Sequence, residues 1–63
     1  MLADQRHTQI LDIVNGEGSA TVVDLAARLG ISESTVRRDL EKLDDSGCLS
    51  KVHGGAVALD REG

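Results

Sequence analysis

Between Asp4 and Asn15 the apolar residues Ile10, Leu11 and Val14, with Ile13 beside them, fall at helical spacing, and the two glycines of "NGEGS" end the pattern. That spacing predicts a first helix. "SAT", Ser19 to Thr21, is too short to stand alone and reads as an edge strand. At Thr21 a second helical pattern begins, because threonine followed three residues later by Asp24 resembles a capping box with Asp in place of Glu or Gln. Leu25, Ala26 and Leu29 form its apolar stripe, and Gly30 suits the left-handed position just past a helix end. Ser32 is a good N-cap for a third helix that runs to about Asp45 and closes at Ser46-Gly47. Two helices joined by so short a glycine-containing link make a helix-turn-helix.

Past Gly47 the pattern belongs to strands. "CLSKVHGGAVAL" sets aliphatic and β-branched residues on both sides of Gly54-Gly55, a dipeptide suited to the positive φ angles of a two-residue hairpin turn. Paired with the short strand near Ala20, that hairpin turns a helix-turn-helix into a winged one. The expected fold class is mostly α with a small β-hairpin: three helices plus a wing around one core. Residues 1–59 form the single domain, with the helix-turn-helix at about 21–40 and the wing at about 48–59. Residues 60–63 read as a tail or the start of a linker.

The third helix has two sharply different faces. At about 100° per residue, Val36, Leu40 and Leu43 lie in one narrow stripe that must be buried. Ser34 and Arg38 then point directly away from the core, Thr35 and Lys42 occupy one flank of the outer face, and Arg37 the other. Asp39 projects to the flank of the buried stripe, where Arg28, Lys42 or a nearby backbone N–H is its expected partner. Hydroxyls and arginines therefore lead the helix, and Asp44 and Asp45 sit in its last turn. In a helix-turn-helix the leading end of the second helix enters the major groove, and these side chains donate to base edges and phosphates.

Composition narrows the classes. A chain of 63 residues is near the lower limit for folding without disulfides or metal, so neither a second domain nor a deep catalytic cleft is expected. Apolar residues make up 40% and Phe, Tyr and Trp are lacking, which makes the core aliphatic. The single cysteine, Cys48, cannot form an internal disulfide and reads as a small apolar filler in a reduced, cytoplasmic setting. Cys48, His7 and His53 lack the close-paired spacing of a metal site, and no cofactor is expected. No nucleophile–base–carboxylate set or phosphate-cradling glycine loop is visible, so the chain does not read as an enzyme. "MLADQRHTQI" has no apolar signal region, and no apolar run approaches the ~20 residues that span a bilayer.

A formal charge of -4 argues mildly against nucleic acid, but its distribution reverses the argument. Residues 1–24 and 39–45 are each net -3, whereas residues 25–38, with Arg28, Arg37 and Arg38 against Glu33, are net +2. Exposed charges are screened beyond about 8–10 Å, so the positive island acts locally.

"LAARLGISESTVRRDLEKLDDSGCLSKVHGGA" is similar to the N-terminal DNA-binding domain of the DeoR family of bacterial transcriptional regulators. The likeness runs from about Arg6 to Val57, and "STVRRDL" followed by "HGGA" is its most specific part. It implies a winged helix-turn-helix on double-stranded operator DNA, typically repressing genes of sugar or nucleoside catabolism. It also implies a longer, homo-oligomeric parent whose C-terminal domain binds a phosphorylated sugar or related metabolite. Arg37 and Arg38 match the family's arginine pair, with Ser34 and Thr35 ahead of them as groove or phosphate contacts. Lys51 stands where arginine is common, and His53, Gly54 and Gly55 match the "HGG" turn.

Each assignment has a plainer counterpart. Arg37 and Arg38 would otherwise be a solvated helix face, with Arg37 paired to Glu41 for roughly 0.2–0.5 kcal/mol. Thr21 and Ser32 are helix caps whose neighbouring amides can hold a phosphate at the same time. Lys51 and His53 are either an exposed hairpin tip or wing contacts to phosphate or the minor groove, and Arg28 is a surface residue or a backbone contact. The candidate DNA-binding residues are thus Thr21, Ser32, Ser34, Thr35, Arg37, Arg38, Lys42, Lys51, His53 and Gly54. The competing function is a protein-interaction module that uses the acidic surface of Asp12, Glu17, Asp44 and Asp45.

Overall fold

A computed structural model describes residues 2–59; the expected tail at 60–63 lies outside them. Six elements follow in order: helix α1 (Ala3–Glu17), strand β1 (Ser19–Thr21), helix α2 (Val22–Leu29), helix α3 (Glu33–Asp45), strand β2 (Ser50–Val52) and strand β3 (Gly55–Val57). This is a winged helix-turn-helix.

On α1, Ile10 and Val14 are one turn apart and wholly buried, while Leu11 and Ile13 cover their flank. The helix passes through Gly16 and ends at Gly18, beyond the expected stop at Asn15, where the Gly18 N–H donates to the Val14 carbonyl at 2.7 Å. Thr21 then serves two elements. It is the last residue of β1, and its Oγ1 accepts from the Asp24 N–H at 3.0 Å to start α2.

Gly30 closes α2 with φ +68°, a conformation that costs a residue with a Cβ and is free to glycine. The N–H groups of Gly30 and Ile31 both donate to the Ala26 carbonyl, at 2.9 and 3.1 Å. Ser32 follows at once, its Oγ accepting from the Thr35 N–H at 3.1 Å to open α3. The turn between α2 and α3 is therefore three residues long, its first two N–H groups tied back to α2 and the Ser32 carbonyl accepting from the Val36 N–H.

The strands form one antiparallel sheet in the order β1-β3-β2. Ala56 of β3 sits opposite Ala20 on one side and Lys51 on the other, so the final strand is the central one. Val52 pairs with Gly55, which makes the turn residues His53 and Gly54 rather than the expected Gly54-Gly55. Only Gly54 takes a positive φ, +80°. Gly55 is required for a different reason: a Cβ there would lie 2.2 Å from the Ala20 carbonyl oxygen, which belongs to backbone and cannot yield. The Gly54 carbonyl in turn accepts from the Val22 N–H at 2.9 Å, tying the wing's turn to the start of α2.

Ile10, Val14, Leu25, Val36 and Leu40 are fully buried and are joined by Ala20, Val22, Leu43, Leu49 and Ala56. Burial of each large aliphatic side chain contributes about 1.5–3 kcal/mol. Cys48 is exposed and is not the expected core filler. Its neighbour Leu49, 1% exposed, takes that place as the chain extends toward β2.

Candidate nucleic-acid interface

Packing of Val36, Leu40 and Leu43 into the core fixes which way α3 presents its other residues. Ser34, Arg37, Arg38 and Lys42 are all exposed and Thr35 is half-buried. The hydroxyls of Ser32 and Thr35 lie 2.9 Å apart, and Ser32 also caps the helix. Ser32 and Thr21 are thus both capping residues and are themselves exposed; at the start of α2 the Val22 N–H is already taken by the Gly54 carbonyl.

Arg37 Nη2 donates to Glu33 Oε1 at 3.4 Å, one turn behind it, and not to the expected Glu41. Both positions are four residues away. Glu33 precedes the arginine, an order that agrees with the helix dipole. With side chains 58% and 47% exposed, the pair is loose and leaves the guanidinium free to turn elsewhere. Arg38, Lys42 and Lys51 form no ion pair with a described residue.

Arg37 faces the hairpin across an open groove lined also by Val22, Lys51, Val52, His53, Gly54 and Gly55. The fold therefore brings Arg37, Lys51, His53 and Gly54 to one concavity without a carboxylate in its lining. Ser34, Thr35, Arg38 and Lys42 lie along α3 outside that lining, and Thr21 and Ser32 mark the two helix starts.

Arg28 leaves the positive island. Its guanidinium meets Glu17 at 2.8 Å and Asp24 at 3.1 Å. The hydrogen bond to Glu17, followed by the charges of Asp24 and Glu17, raises its pKa above the ordinary arginine value.

The expectations for Asp39 are corrected. It pairs with neither Arg28 nor Lys42 but turns to α1, where Arg6 grips both carboxylate oxygens, through Nε to Oδ2 and through Nη2 to Oδ1 at 3.0 Å. His7 Nε2 adds a contact to Oδ1 at 3.1 Å. Asp39 is 3% exposed and is the one buried charged residue among those described. Burial pushes its pKa up, but the hydrogen bonds from Arg6 and His7 and the Arg6 charge outweigh that and hold it below the usual carboxylate value. Sequence reasoning assigned no role to Arg6 or His7 because they lie 33 and 32 residues from their partner.

Comparison with known proteins agrees with the helix-turn-helix fold. The chain matches the model of the DeoR-like helix-turn-helix domain over residues 6–62. It is 47% identical over 62 residues to proteins described as HTH-type transcriptional regulator UlaR from Salmonella arizonae, Salmonella newport and Salmonella heidelberg. Each match covers 98% of this chain and 25% of the relative, so the chain spans about a quarter of the length of these curated relatives. No solved structure matches it.

Proposed function

The chain belongs to the DeoR-like helix-turn-helix family, a class of DNA-binding transcription regulators, and from that premise we propose that it is an operator-binding domain which docks α3 in the major groove of duplex DNA. The observation that carries this reading is the groove in which Arg37 faces Lys51 and His53 with no carboxylate between them, on a chain of net charge -4. A phosphate strand supplies a negative partner for this concavity, in which Arg37 has only its loose contact with Glu33 outside the lining.

In the proposed complex Arg38, the more outward arginine, reads a base edge, with Ser34 and Thr35 nearer the leading end of the helix. Arg37, Lys42, Lys51 and His53 hold phosphates, and Gly54 lets the backbone of the wing approach closely. Thr21 and Ser32 keep their caps while the helix N-termini behind them favour phosphate. The parent protein acts as a cytoplasmic homo-oligomer on paired half-sites and represses genes of sugar or nucleoside catabolism. A phosphorylated sugar or related metabolite binds the part of the parent that lies beyond this chain. This domain acts as a regulator and not as an enzyme.

Fluorescence anisotropy with a labelled duplex tests the docking. Affinity should fall steeply as salt rises, since each neutralised phosphate releases a counterion, and Arg37→Ala with Arg38→Ala should abolish binding at moderate salt. Salt-independent affinity, or full binding by the double variant, would show that DNA is held elsewhere.

A further inference from the structure

Apolar packing holds α3 against the core but is non-directional. Val36, Leu40 and Leu43 can stay buried through a small rotation of the helix about its own axis, whereas a contact to a base edge tolerates only about 10–20° of misorientation. A directional contact can hold the rotation more tightly than core packing alone. Asp39 directly follows Arg37 and Arg38 on the same helix, and its carboxylate is held by two nitrogens of Arg6, with His7 on the Oδ1 side. A guanidinium fork on a carboxylate is planar and fixes orientation as well as distance. Both partners come from α1, which bears none of the candidate DNA contacts. A buried ion pair is weak evidence for net stability, and its best-attested use is to fix a register that apolar contacts leave open.

We propose that Asp39 is a positioning residue: held by Arg6 and His7, it fixes the rotation of α3 and so aims Arg37 and Arg38 into the groove. The inference rests on the docking reading above and adds to it a determinant of sequence selectivity that touches no DNA.

The test uses the 63-residue chain and two labelled duplexes, one selected by the wild-type chain from a random-sequence pool and one of scrambled sequence. The readout is the ratio of the two affinities, corrected for the folded fraction measured by urea titration. Asp39→Asn and Arg6→Gln should each lower that ratio by roughly tenfold, about the discrimination carried by one bidentate base contact, while affinity for the scrambled duplex changes little. Val14→Ala, a core variant away from the ion pair, should weaken folding and leave the ratio intact; if it too lowers the ratio, a merely structural role explains the effect and the proposal fails. Should Asp39→Asn not fold, Arg6→Gln decides alone. A selective wild type beside an equally selective folded variant overturns the positioning role only. A wild type unable to distinguish the duplexes overturns the docking reading and this inference together.

Discussion

Two arginines tie α1 to later parts of the chain by gripping carboxylates, and they do so in opposite surroundings. Arg6 meets Asp39 where the side chains are 18% and 4% exposed, and Arg28 meets Glu17 where they are 43% and 50% exposed. The chemistry is the same, but water competes for every hydrogen bond of the second pair and for almost none around Asp39. A solvated pair forfeits little when it breaks, whereas loss of one member of a buried pair strands the other without water. The first can therefore dictate geometry, and the second only decorates a surface.

The largest effect should come from breaking the buried pair outright. Asp39→Ala is expected to cost about 1–3 kcal/mol, a large share of the stability of so small a domain, and urea unfolding followed by circular dichroism at low temperature would measure it. Acid should act on the same joint. Because Asp39 is held below its usual pKa when folded, the unfolded chain binds the extra proton in the window from about 3.9 downward to the folded value. Stability is therefore complete above that window and falls as pH drops through it. The gap in stability between wild type and Asp39→Asn should narrow over the same range.

Smaller effects sharpen the contrast. Ser32→Ala and Thr21→Ala each remove a side-chain cap and should lower stability by about 1 kcal/mol, readable as a shifted urea midpoint. The smallest change belongs to the exposed pair: Arg28→Ala should leave the unfolding midpoint almost where it was, and added salt should erase what difference remains. A large loss there would mean that exposure is a poor guide to what an ion pair does in this fold.

The same contrast separates what the sequence shows from what it hides. Thr21, Gly30 and Ser32 act on backbone within a few residues of themselves, so the boundaries of α2 and α3 and their short turn are legible from local chemistry. The stripe of Val36, Leu40 and Leu43 is legible for the same reason, and with it the outward face of α3. Asp39 could be placed on its flank, but its partners could not, since nothing local says that α1 will pass beside it. Arg37 had a glutamate four residues away on either side, and spacing alone does not choose between them. At the hairpin both glycines satisfy a turn; only the approach of the Ala20 carbonyl assigns Gly55 to the strand. Cys48 lies in the link between α3 and β2, where the irregular backbone turns Leu49 inward and leaves Cys48 exposed, and no periodicity marks which of the two is buried.

The central place of β3 in the sheet has a consequence for how the domain comes into being. β1 is made early, yet its hydrogen-bonding partner is the last strand, and the Gly18 carbonyl accepts from the Ala58 N–H at 2.9 Å. On a ribosome Arg37 and Arg38 emerge well before Gly55 to Val57 can pair with Ser19 to Thr21. Closure of such distant pairings is the slow part of folding. The nascent chain thus carries its positive side chains for a time without β3, and the groove between Arg37 and the hairpin can form only after Gly55 to Val57 have been made.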